Sequence, residues 1–393
     1  NKIIFVDLGS GQLELIKQNF SDFAIIDHHQ PMPLEHELQF NPILFGFDGG
    51  FEISGAGSAF FVAKEISKKN FDLSSLAVVG AVGDIQDGSG KLIGLNSEIL
   101  REAEENNLIK KEIDLRLYGR ISRPLAQFLS FSSSPLIPFL TANEENCYKF
   151  LRNLGIELKI GEKWKSYSQL NAEEKQILSS ALLTHLVEHG YSEQKAHFLI
   201  GEVYTLLKEK QDSPLRDAKE FATLLNSCGR NSKPEIGIQI CLGDREIYYS
   251  QALSLLAEHR LLLRNSIEWV KQNGLQEFSN FYLFDAGNNI PETIVGIVAG
   301  MIFGAGIIEA DKPIIAFANE EKDRIKVSGR ATSELVDKGI NLSKAFREVC
   351  SELDEKSLGG GHKIAAGCLI QGNEKQLFLQ KLEEKLSQQF QVF

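Results

Sequence analysis

Residues 25–29 read Ile-Ile-Asp-His-His, a short apolar run that ends in one carboxylate and two imidazoles. As a β-strand, the run delivers Asp27, His28 and His29 to one edge of a sheet. Imidazole nitrogens with carboxylate oxygens are a donor set that suits Mn²⁺ or Zn²⁺. Two further stretches share the pattern. Residues 3–7, Ile-Ile-Phe-Val-Asp, end in Asp7, and residues 76–84, Leu-Ala-Val-Val-Gly-Ala-Val-Gly-Asp, end in Asp84. Read as three buried strands of a parallel sheet, these runs send their carboxyl ends to one crevice, where open α/β sheets bind ligands. One acid after a strand is ordinarily a helix cap or turn former. Three such acids with an adjacent histidine pair point instead to a metal or acid–base centre.

A second group lies near the other end of the chain. Gly359-Gly360-Gly361-His362-Lys363 exposes backbone N–H groups and adds charge, so it is expected to form a turn that opens a helix and cradles a phosphate. By itself such a run reads equally as a loop or hairpin. Upstream, Lys326-Val327-Ser328-Gly329-Arg330 sets a hydroxyl and a guanidinium beside a strand-like segment, and arginine grips phosphate bidentately.

Together these residues resemble a known family. Val6-Asp7, Asp27-His28-His29 and Gly83-Asp84 are similar to the second, third and fourth motifs of the DHH phosphoesterases, and Gly359–Gly367 resembles the glycine-rich signature of the C-terminal domain in their RecJ-like branch. Arg123-Pro124-Leu125-Ala126, Pro138-Phe139-Leu140-Thr141 and the segment 221–230 resemble the archaeal RecJ-like single-strand exonucleases of the GINS-associated nuclease type. The resemblance implies phosphodiester hydrolysis with two divalent ions, usually Mn²⁺ with Mg²⁺ as an alternative. It implies removal of nucleotides from a 5′ end of single-stranded DNA, sometimes action on RNA, and docking of replication proteins, the GINS complex, on a helical insertion. On that pattern Asp7 bridges the two ions, and His28 and Asp84 complete one site. Asp27 orients the His28 imidazole, and His29 holds phosphate with Ser328, Arg330, Gly360, Gly361, His362 and Lys363. The family's first motif, a His followed by Asp-x-Asp, has no counterpart before Asp7. The expectation is that a segment upstream of Asn1 carries it and that residues 1–393 alone hold at most one well-formed metal site. Two other classes share the signatures: a catalytically silent DHH-frame replication factor and a phosphatase of small oligonucleotides or nucleotides.

Composition sets the limits. The 393 residues are 43% hydrophobic and 24% charged, enough for two or three cores. A net charge of −11 disfavours a nonspecific nucleic-acid coat but not a narrow metal-containing cleft. No apolar run reaches the roughly 18 residues of a membrane span. The five cysteines form no CxxC pair, so a cytoplasmic protein with no membrane contact is expected. The fold class expected is α/β. Residues 1–142 read as a parallel-sheet DHH domain, 143–211 as a helical insertion poor in strands, 212–232 as a connecting helix, and 233–393 as a smaller C-terminal α/β, nucleic-acid-binding DHH-associated domain. The run 236–242 is expected to open that last unit. His185 and His189, at i and i+4 in the insertion, offer two ligands without a third and read as a polar helix face.

Overall fold

The computed structural model describes residues 2–390 apart from Glu35, 133–134, 304–306, Lys322, 354–356 and Leu358. The chain forms two compact units, one of residues 1–128 with 148–256 and one of residues 129–147 with 257–393.

In the first unit β1 (Ile3–Val6), α1 (Leu13–Asn19), β2 (Phe23–Ile26) and β3 (Gln39–Phe40) come in sequence, and the three strands pair in parallel in the order β1-β2-β3. Leu13 and Ile16 of α1 bury against Phe23 and Ile25. Val6 pairs with Ile26, so the chain leaves both strands at the same level, and Asp7 and Asp27 follow there. Next come α2 (Gly55–Ile66), α3 (Ser74–Gly83), α4 (Gly94–Glu105) and β4 (Ile109–Leu115). The expected third strand is thus helix α3. Ala77, Val78, Val79, Ala81 and Val82 are all buried, and the helix packs against α2 and α4. An apolar run covered on all sides carries no periodicity, so sequence alone cannot separate buried strand from buried helix there.

After α5 (Leu125–Ser130) and α6 (Glu144–Asn153) come the two-residue strands β5 (Lys159–Ile160) and β6 (Lys163–Trp164), then α7 (Ala172–Glu188), α8 (Glu193–His197) and β7 (Ile200–Leu206). Asn171 and Glu174 close the capping box that starts α7. The stretch expected to be helical therefore ends in a seven-residue strand, which pairs antiparallel with β4 along its whole length. His185 stacks edge-on against Phe150, in keeping with a packed helix face. Helices α9 (Ala218–Arg230), α10 (Pro234–Cys241) and α11 (Ile247–Asn273) follow. The run 236–242 is helix α10, and Ile236 and Ile240 bury in the first unit's core rather than opening the second.

The second unit adds β8 (Gln276–Glu277), β9 (Tyr282–Asp285), α12 (Val295–Ile302), β10 (Ile314–Glu320), β11 (Arg324–Arg330), α13 (Ser333–Asp337), α14 (Leu342–Ser351), β12 (Gly360–Gly361), β13 (Ala365–Gln371) and α15 (Lys375–Phe390). Among the described residues its strands form one sheet in the order β12-β13-β11-β10-β9-β8, with only β9 and β10 parallel. Alternation along the strands feeds two cores. Leu283, Ile315, Phe317, Ile325 and Val327 meet Phe346 of α14 and Phe378 of α15. Tyr282, Phe284, Ile314, Ala316 and Ala318 meet α12 on the other face. Truncating a core ring such as Phe346 to alanine costs about 3–5 kcal/mol in sites of this kind.

Candidate metal centre

Asp7 and His28 converge where β1 and β2 end. Asp7 takes a left-handed backbone, φ 64°, with its N–H donating to the Ile26 carbonyl at 2.8 Å. That conformation suits Asp better than most side chains. Its Oδ1 stands 3.1 Å from His28 Nε2. His28 is 7% exposed, and its Nδ1 lies 2.7 Å from the Gly49 carbonyl and 3.1 Å from that of Ile53. Two acceptors on Nδ1 keep a ring proton there, which leaves Nε2 as the nitrogen that could coordinate an ion. Burial opposes a charge on this ring, but Asp7, the Gly49 carbonyl and Asp84 outweigh it and raise the pKa to about 9. The carboxylate of Asp7 also sits under the first turn of α2. A Cβ on Gly55 would fall 2.1 Å from Asp7 Oδ1, so only glycine admits this approach.

Asp27 is fully buried, and burial pushes its carboxyl up, but hydrogen bonds win and hold it below the usual range. Oδ2 accepts from Ser10 N–H at 2.9 Å, and Oδ1 accepts from the N–H groups of His28 and His29 and from His29 Nδ1 at 2.8 Å. The imidazole it orients is therefore that of His29, whereas the His28 ring is held by main-chain carbonyls. This differs from the expected pairing of Asp27 with the His28 ring. The reason is stereochemical: the carboxylate folds back over its own chain, where the next two N–H groups lie. One ligand atom each from Asp7, His28 and His29 comes within 4.8 Å of the others.

Asp84 enters from the end of helix α3, and its Oδ2 stands 3.8 Å from His28 Nδ1, whereas Asp7 approaches Nε2. Burial raises its carboxyl pKa. The next residue, Ile85, has φ 60° and is 75% exposed, an unusual conformation for a β-branched side chain. The buried Gln86 amide donates to Asp84 Oδ2 at 2.8 Å and to the Gly49 and Ile53 carbonyls at 2.9 and 3.1 Å, and its oxygen accepts from Asn96. Asp87 pins the loop through a buried ion pair with Arg116 at 2.6 Å.

The other expected residues lie in the second unit. Ser328 is buried and Arg330 half-buried on β11, and both face α12. A Cβ on Gly296 would lie 2.5 Å from Arg330 Nη2 and 3.1 Å from Ser328 Oγ. Arg330 donates to the Gly329 carbonyl at 2.8 Å, forms no ion pair among the described residues, and has its pKa lowered by burial. Gly360 and Gly361 are strand β12 of a tight hairpin to β13, not a turn that opens a helix. The His362 N–H donates to the Ala365 carbonyl at 2.7 Å, which closes the turn and leaves the His362 and Lys363 side chains exposed. Gly361, at φ 135°, takes a conformation closed to other residues. The strand complement offered by β13 decides for hairpin over helix.

Residues 117–200 match the DHH-CID domain and residues 279–388 the DHHA1 domain. The uncharacterized protein MJ0831 of Methanocaldococcus jannaschii is 34% identical over 392 residues, which cover 98% of this chain and 81% of the relative. The chain belongs to the DHH family. The DHH fold is shared with CDC45 from Entamoeba histolytica, at TM-score 0.63 and 13% identity over 98% of this chain and 84% of that one. It is also shared with RecJ from Thermus thermophilus, solved in complex with Mn²⁺, at TM-score 0.55 and 18% identity over 98% of this chain and 45% of that one.

In this DHH chain several groups of the centre carry no motif. The carbonyls of Gly49 and Ile53, the Gln86 amide and Gly55 were not legible, because a carbonyl has no letter and a glycine is needed only by what packs on it. A cavity of about 540 Å³ elsewhere in the first unit contains none of the site residues. Its Arg120 is paired with Asp114 and Asp217 and its Lys175 with Asp114, so its charges are largely met internally. Among the described residues no helix is long and apolar enough to cross a membrane.

Proposed function

We propose that the chain is a metal-dependent phosphodiesterase that removes nucleotides from single-stranded nucleic acid, working from a 5′ end of DNA and also accepting RNA. The convergence of Asp7, His28 and His29 carries this reading. One carboxylate and two imidazoles suit a divalent ion of borderline softness, Mn²⁺ ahead of Mg²⁺. Asp7 and His28 would hold it, and Asp84 lies beside the His28 ring. Such an ion, when bound, supplies hydroxide at neutral pH and offsets charge on the phosphate.

The chain's own residues supply the rest. His28 presents Nε2 because its Nδ1 proton is given to the Gly49 and Ile53 carbonyls. Asp27 acts as a positioning residue, accepting from His29 Nδ1 and so fixing the ring that we assign to the phosphate. Arg330, a cation without a carboxylate partner among the described residues, grips a phosphate of the strand, with Ser328 beside it and Gly360, Gly361, His362 and Lys363 contributing the hairpin contact. The resemblance extends the proposal to replication proteins, the GINS complex, docking on the helices of 143–211.

A second reading, a catalytically silent DHH-frame replication factor, draws on one observation: Asp84 stands outside the three-group cluster. Both readings meet in one experiment. With Mn²⁺ the protein is expected to shorten long single strands faster than dinucleotides and to spare duplexes, and Asp84→Ala to abolish this. No hydrolysis favours the silent frame, and equal rates on dinucleotides and long strands favour a small-substrate phosphatase.

A further inference from the structure

Resting on the reading above, we infer that Phe51, aided by Ile85, forms an apolar platform beside the metal centre that stacks on an unpaired base of the strand being cut. The placement follows from one hydrogen-bonded knot. The carbonyls of Gly49 and Ile53 meet both His28 Nδ1 and the Gln86 amide. Phe51 is the middle residue between those two carbonyls, and Ile85 is the residue before Gln86. Both residues are therefore within two positions of a group in the knot that holds the proposed coordinating imidazole.

Both are also costly where they stand. Phe51 is 60% exposed and Ile85 75% exposed, large apolar groups left in water next to buried polar ones. The two backbones are fixed for different reasons. Residues 48–52 form a turn in which the Phe51 and Glu52 N–H groups donate to the Asp48 carbonyl at 3.4 and 2.8 Å, which fixes the backbone at Phe51. Ile85 is held at φ 60°, a strained state for a β-branched residue, by the bonds of Gln86 and the Asp87–Arg116 pair just after it. A strained, exposed isoleucine and an exposed phenylalanine on the same knot belong to none of the core clusters among the described residues. Their chemistry suits the flat face of a base.

A base is the occupant favoured over other apolar groups because the adjoining centre offers only phosphate chemistry, and a nucleotide is the phosphodiester that brings a flat apolar face with it. Bases inside a duplex are stacked on one another, so a lone ring can reach only an unpaired one. The platform thus gives the centre a preference for single strands without any contact to a base edge, and one that is tolerant of sequence.

The test uses the full protein with Mn²⁺ and two single strands that carry the same phosphates, one with normal terminal nucleotides and one abasic at the positions cut. The base-bearing strand is expected to be favoured roughly tenfold in kcat/KM, the scale of one base-stacking contact. Phe51→Ala brings the ratio near one, and Phe51→Trp restores it. Quenching of a terminal 2-aminopurine on binding, lost in Phe51→Ala, reads the same contact without hydrolysis. Quenching with no hydrolysis would retire the nuclease reading and keep the platform. Hydrolysis with no preference for the base-bearing strand, or a Phe51→Ala variant that keeps both the ratio and the quenching, would overturn the platform and keep the nuclease.

Discussion

The two groups of site residues are built on opposite principles. In the first unit each imidazole has its second nitrogen committed: His28 to the Gly49 and Ile53 carbonyls and His29 to a carboxylate that is itself bound by three N–H groups. In the second unit Arg330 has a single bond to the neighbouring carbonyl, and His362 and Lys363 stand exposed on a hairpin. Metal ligands lose function with small displacements, whereas phosphate contacts are long, charged and adaptable. On the function proposed here, rigidity is concentrated at the metal centre, and grip is left to side chains that can follow the strand.

This contrast can be broken or sharpened by substitution. The largest effect is expected from His28→Ala, which removes the buried ligand and should eliminate Mn²⁺-dependent hydrolysis; turnover at saturating single-stranded DNA measures it. Next is Gly55→Ala. Its methyl would collide with the Asp7 carboxylate, and metal affinity, read by Mn²⁺ titration with calorimetry, should fall about 10–100-fold while the protein stays folded. Asp27→Asn should cost a similar or smaller factor in kcat, since the amide no longer attracts the His29 Nδ1 proton with full charge; kinetics at fixed saturating metal isolate that step. Arg330→Ala should raise KM by roughly tenfold with kcat little changed, the pattern of a lost binding contact. The smallest effect is Gly360→Ala. Nothing lies within 4 Å of its added methyl, so the melting temperature and kcat should stay near wild type, and any change should be confined to KM. A severe Gly360→Ala, or a silent Gly55→Ala, would reverse the assignment of rigid and adaptable regions.

How much could be read in the sequence follows the same division. Asp7 and Asp27-His28-His29 were legible because consecutive residues at strand ends share one location, and the strands there are short apolar runs with clear ends. The parallel pairing of β1 and β2 followed from the same runs. Helix α3 was misread because Leu76–Gly83 is apolar throughout, and its partners, α2 and α4, are set by tertiary packing. The glycine-rich segment was misread as a helix-opening turn because its partner, β13, begins only after the turn. The orientation of the His28 ring was illegible in principle: it depends on carbonyls 21 and 25 residues further along the chain.

The anchoring of His28 by main-chain carbonyls bears on how such a centre is transplanted. A graft that carries over only the side chains of Asp7, His28 and His29 would leave the imidazole free to turn and to carry its proton on either nitrogen. The piece to copy is the path of residues 49–53, including the glycine that lets the chain pass close to His28, because that path rather than any partner side chain sets the ligand's orientation.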